Sequence, residues 1–178
     1  MDDLKLGFLS YCPFEKGAAL RGAMLVTDSR LKPLEFRITS CIKPTKFQKS
    51  LYGKILNGYI LVDLITLPIL ASLSSRPRVI LVRNPLFLGA NKEQDTAVLR
   101  LYKKGEPSVS RNGTIYPLNN NGSTTPLYIE TSKNMKDPMK TMAPVVENIA
   151  KEYNLLEPFD RIILASQQVH NQGVEKGA

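Results

Sequence analysis

PLEFRITSCIKPTKFQKSLYGKILNGYILVDLITLPILASLSSRPRVILVR, running from Pro33 to Arg83, is the stretch whose reading decides the fold. Its opening, PLEFRITSCI, alternates. Leu34, Phe36 and Ile38 fall on one face and Glu35, Arg37 and Thr39 on the other, as in a strand with one face covered. From Phe47 the apolar positions change period. Leu51, Ile55, Tyr59, Val62, Ile65, Ile69 and Leu73 follow in steps of three or four, which predicts one long helix over Thr45–Ser75. Leu56, Ile60, Leu61, Leu64, Leu67 and Leu70 add apolar groups between them, so the second half is expected to be buried on several sides. Gly53 and Gly58 each cost about 1 kcal/mol relative to alanine inside a helix. They fit either a close approach to a strand or a break between shorter helices. Pro68 removes a backbone donor and predicts a kink near Thr66–Leu67. RVILVR, Arg78–Arg83, then reads as the most apolar and most central strand.

A membrane span needs about 20 mostly apolar residues. The richest run, Tyr59–Leu73, is shorter and contains Asp63 and Pro68, so a buried core helix is the expectation and no membrane partner is assigned. The chain of 178 residues predicts a single domain over 1–170 with a flexible tail at 171–178. Cys12 and Cys41 make neither a disulfide framework nor metal-ligand spacing. With a start, MDDLKLGF, unlike a signal peptide, they predict a cytoplasmic protein.

Outward from the central stretch, Leu4–Ser10, Arg21–Asp28 and Pro33–Ile42 are close enough to make an antiparallel three-strand meander. The helix is long enough for a crossover to Arg78–Arg83. Beyond a loop at LFLGANKEQ, Thr96–Lys104 is a strand with Val98, Arg100 and Tyr102 on one face. Asn112-Gly113 signals a hairpin between Ser108–Arg111 and Thr114–Leu118. A polar loop, Asn119–Thr125, precedes a strand over Pro126–Ser132, whose proline favours an edge or a strand start. Asp137-Pro138 predicts a helix start, Pro144 moves the regular helix later, and Glu157-Pro158 opens a last helix. The whole is an α/β chain leaning to α+β, with a mixed sheet, a long central helix, a hairpin region and C-terminal helices.

Strand–strand–strand–helix–strand, over about residues 4–84, resembles the start of the ribonuclease H-like fold. That resemblance implies acidic residues gathering Mg²⁺ for phosphodiester cleavage, with one Asp on the first strand. LKLGFLS has none, and the fourth strand ends at Asn84. Asp28, Glu35 and Asp63 are the acids left to consider. Two-metal catalysis needs several carboxylates converging on one point. Their other reading is a turn residue, a partner for Arg37 and a buried or interface hydrogen-bonder. A zinc site lacks material, since His170 is the single histidine and is expected on the surface. No GxGxxG, Walker or GxSxG pattern occurs, and no catalytic residue, metal or cofactor is assigned.

The net charge of +8 is uneven: residues 1–111 hold 18 Lys and Arg against 9 Asp and Glu, the remainder 6 against 7. Lys43, Lys46 and Lys49 surround an expected N-cap at Thr45, where lysine is unfavourable by about 0.3–1 kcal/mol unless an anion is bound. Arg76, Arg78 and Arg100 are the outlying phosphate contacts. The expectation is a non-catalytic protein, or a subunit of a larger assembly, binding DNA or RNA through one basic surface. The alternatives are an adaptor subunit for an acidic protein and a metal-dependent phosphodiesterase. An oligomer is compatible with each.

Overall fold

The computed structural model describes residues 3–110, 114–120 and 125–176. Among these residues, seven strands form one mixed sheet in the order β3-β2-β1-β4-β5-β7-β6. They are β1 (Leu6–Phe14), β2 (Ala19–Thr27), β3 (Pro33–Ile38), β4 (Val79–Val82), β5 (Ala97–Lys103), β6 (Ile115–Leu118) and β7 (Leu127–Glu130). β1 to β3 make the expected antiparallel meander, and β4 and β5 continue the sheet parallel to β1. β4, VILV, lies in the middle with every side chain buried, because both faces of a crossover-linked sheet are covered.

Alternation along the strands divides the interior into two layers. Leu6, Phe8, Leu25, Leu81, Leu99 and Ile129 pack against α4 (Lys136–Glu152) and α5 (Glu157–Lys176). Leu9, Met24, Val26, Ile80, Val82 and Val98 pack against the crossover helices and a 3-10 stretch, Pro85–Lys92. The crossover is not one rod. It comprises α1 (Lys46–Tyr52), a 3-10 turn (Gly53–Ile55), α2 (Leu56–Tyr59), a π-helical stretch (Ile60–Thr66) and α3 (Leu67–Ser72). Gly53, at φ 52°, makes the first break, and Gly58 meets nothing that a Cβ would touch. The wider π spacing turns Ile60, Leu61, Val62, Ile65 and Thr66 inward together, and the Thr66 hydroxyl donates to the Leu61 carbonyl at 2.6 Å. Lys46–Ser72 is long and apolar enough to cross a membrane by length and composition, yet its second half fills the core.

The close approach happens on a strand. Gly22 of β2 faces the π-helical stretch, where a Cβ would stand 2.2 Å from Ile65 Cγ2. Other expectations are corrected by packing. Ser108–Ser110 is no strand but lies against Glu130, and the Asn112-Gly113 turn lies outside the described residues. β7 is paired on both sides by β5 and β6, so of the two readings of Pro126 the strand start holds and the edge does not. α4 begins at Lys136 and runs unbroken through Pro144, while α5 continues to Lys176, past the expected start of the tail at Asn171. His170 is half-buried, stacked on Phe14 at 3.8 Å, with its Nδ1 accepting from Arg21 Nε at 3.2 Å.

Candidate nucleic-acid interface

β1, β4 and β5 run in one direction, and the chain reverses its side of growth between β1 and β4. In open α/β sheets such a switch point, outside the carboxyl ends of the strands, is where ligands bind. Here that end offers Tyr11 from β1 and Asn84 just after β4. The Asn84 amide donates to the Tyr11 hydroxyl at 3.5 Å, and the Asn84 side chain caps the following turn by accepting from Leu86 N at 2.9 Å. A groove of about 490 Å³ opens beside them, between Ile55, Gly58, Val62 and the Pro85–Gly89 segment. Asp63 is the single carboxylate lining it.

The second polar cluster lies on β5 and β7, where the sheet face that carries Val98 runs out from under the helices. Arg100 and Glu130 face each other across the strands and pair at 2.6 Å, both almost fully buried. The segment around Glu106–Ser110 folds over them. Pro107 O accepts from Arg100, while the Ser108 hydroxyl and the backbone amides of Val109 and Ser110 donate to Glu130. Arg83, at the end of β4, donates to Leu101 O and pairs with Glu106 at 2.7 Å. Burial pushes the Glu130 carboxyl up. The Ser108 and Arg100 hydrogen bonds, the Val109 amide and the Arg100 charge outweigh it and leave the group below its ordinary value. Glu106 is lowered by the same contest, with burial opposed by the Lys103 amide and Arg83. Both acids nearest the strand ends are thus neutralised by arginine.

The expected basic surface is corrected by the topology. Lys43, Lys46 and Lys49 follow Ile42, which bridges Leu20 opposite Pro13, at the carboxyl end of β1. Arg76 and Arg78 precede β4, where the Arg78 amide donates to Lys5 O at the other end of β1. At about 3.3 Å per residue the two groups stand roughly 25 Å apart along the strand. Arg100 is interior, its guanidinium 4.9 Å over the Tyr102 ring, and its charge is spent on Glu130. Lys43 is paired with Glu15 at 2.7 Å. The anion site expected at Thr45 is also reduced, because a capping box with Gln48 already occupies the Thr45 hydroxyl and the Gln48 amide, and α1 is only 7 residues long.

The acids considered for a metal are equally dispersed. Asp28 accepts from the amides of Arg30 and Lys32 in its own turn. Glu35 accepts from the amides of Ser74 and Ser75 and from Arg37, and these bonds, Ser74 foremost, lower its carboxyl against the opposing effect of burial. Asp63 is exposed on the π-helical stretch. Among the described residues no three of Asp, Glu, His and Cys come together as metal ligands. The Arg100–Glu130 pair was beyond sequence reasoning, since the one available signal, a charge at the period of buried Val98, did not tell which face was covered.

A seven-strand mixed sheet with helices on both faces, begun by an antiparallel meander and a helical crossover, defines a mixed α/β chain of the ribonuclease H-like fold. Solved structures of endonuclease V share it. Human endonuclease V is similar at TM-score 0.57 and 13% identity, over 96% of this chain and 86% of that one. Endonuclease V of Ciona intestinalis, in complex with a DNA containing an inosine followed by a ribo-adenosine, is similar at 0.56 and 10%, over 98% and 87%. Endonuclease V of Streptomyces avermitilis is similar at 0.54 and 10%, over 99% and 84%. No family model matches the chain, and no curated protein does. At these identities the likeness shows the fold. It overturns the expectation of a non-catalytic nucleic-acid-binding protein, because these structural neighbours are endonucleases, and it favours the phosphodiesterase alternative.

Proposed function

We propose that this chain acts on nucleic acid as a phosphodiesterase. The observation that carries the reading is the likeness to endonuclease V structures along nearly the whole chain, one of them bound to DNA. The groove at the switch point, with Tyr11 and Asn84 at its side and Asp63 on its wall, is the place where that fold would meet a strand.

The donor set does not fit the cluster of carboxylates that the resemblance implies for Mg²⁺. Tyr11, just past the last β1–β4 pair, and Asn84, just after β4, are not carboxylates, and Glu106 and Glu130 are committed to arginines. No step is therefore assigned to a metal, and Asp63 is the one carboxylate free to take part at the groove.

The full chain is tested against labelled single- and double-stranded DNA and RNA, including an inosine-containing strand, with Mg²⁺ or Mn²⁺ and with EDTA. Cleavage by the wild type, lowered at least about tenfold in Asp63→Asn, supports the reading. No cleavage of any substrate in either metal overturns it. Cleavage unchanged in Asp63→Asn removes this groove from the reaction.

A further inference from the structure

Among the described residues, the start of the crossover leaves an apolar helix face uncovered. Phe47 and Leu51, one turn apart on α1, are 74% and 68% exposed, and Ile55 in the following turn is 68% exposed. Side chains at i and i+4 share a face, so Phe47 and Leu51 stand together. Three lysines accompany the face. Lys46, Lys49 and Lys54 make no ion pair among the described residues, and no acid occurs between Glu35 and Asp63.

We propose that α1 and the turn after it form a docking face for an anionic lipid bilayer, lying in the plane of its surface. Phe47, Leu51 and Ile55 would enter the boundary between headgroups and acyl chains while the lysines meet anionic headgroups. The charges decide between occupants. A second copy of the chain would set lysines against lysines. A nucleic acid would satisfy the ammonium groups but offers no apolar surface for leucine and isoleucine. A protein partner is disfavoured by the kind of cation: every free one here is lysine, which is depleted at protein interfaces, where arginine is enriched. Lysine's flexible stem suits it to snorkel along an apolar body with its head in a polar boundary. The neighbouring capping box fixes the start of α1 and holds the face in shape without a ligand.

The test is flotation of the full chain with vesicles of phosphatidylcholine alone and with about 30% phosphatidylserine, at about 0.1 and 0.5 M salt. Binding to the anionic vesicles only, weakened by salt, is the expected result. Phe47→Ser with Leu51→Ser, and separately Lys46→Gln with Lys49→Gln, should each weaken it at least about fivefold. These side chains are exposed, so an unchanged circular dichroism spectrum and melting temperature will show that both variants fold. Equal binding to neutral vesicles, no vesicle binding, or binding that neither pair of substitutions alters overturns the proposal. So does a concentration-dependent dimer, or a stable complex with an acidic protein, that Phe47→Ser with Leu51→Ser abolishes while vesicle binding stays unaltered.

Discussion

Glu130→Gln is expected to lower the melting temperature by about 6–20 °C. Removing one partner of a buried ion pair costs about 3–5 kcal/mol, and in a domain of this size each kcal/mol moves the midpoint by about 2–4 °C. Glutamine keeps the shape and an acceptor for Ser108, so the loss isolates the charge: Arg100 stays inside with no counter-ion. Replacing both, Arg100→Met with Glu130→Leu, should recover most of the loss, because a buried pair roughly cancels its own desolvation. Thermal denaturation of Arg100→Met, Glu130→Leu and the double closes the cycle, with Glu130→Gln as the variant that removes the charge alone. The pH dependence follows from the lowered Glu130 carboxyl. Its contribution is fully present above the unfolded glutamate value of about 4.3 and is lost as pH falls through the folded value. The stability gap between wild type and Glu130→Gln should therefore narrow in acid. A gap that is flat from neutral pH downwards would show that the charge contributes nothing.

Gly22→Ala is expected to cost about 1–3 kcal/mol, the usual penalty for overfilling a packed core. The new methyl would lie 2.2, 2.6 and 2.8 Å from Ile65 Cγ2, Cγ1 and Cδ1, and Ile65 has no exposed surface into which to swing. Ile65→Ala is itself costly, by about 2–5 kcal/mol. In that background, however, the Gly22 substitution should become almost free. Chemical denaturation of the four proteins measures this coupling. Additive losses would mean that the strand and the π-helical stretch do not meet as described.

Much of the fold was legible in the residues. The switch from period two at Pro33–Ile38 to period three-to-four after Phe47, and the all-apolar Val79–Val82, carry meander, crossover and central strand. Finer placement was not legible, because it depends on what lies across the sheet. Gly53 and Gly22 look alike in sequence, yet one bends a helix and the other admits one. Pro126 suggested a strand start or an edge, and it leads directly into β7, outside which β6 adds itself. Arg100 has the same alternation as an exposed cation would, and a covering segment whose polar groups are spent on its partner makes it interior. The basic candidates are split for a topological reason. A crossover begins at one end of a sheet and finishes at the other, so Lys49 and Arg76, which flank it, are separated by the length of a strand.

The register of β1 has a mechanical consequence. β1 pairs with β4 only from Leu6 to Leu9, while its pairing with β2 continues to Phe14. The outer half is a cantilever, clasped by the Phe14–His170 stack, the Arg21 bond and the Leu20–Ile42 bridge. A beam anchored at one end bends first at its tip, so this part should breathe without unfolding the middle. Cys12, 3% exposed within it, becomes a clock for that motion: a thiol reagent should label Cys41 promptly and Cys12 only at the pace of the tip's opening. His170→Ala would make the clock run faster.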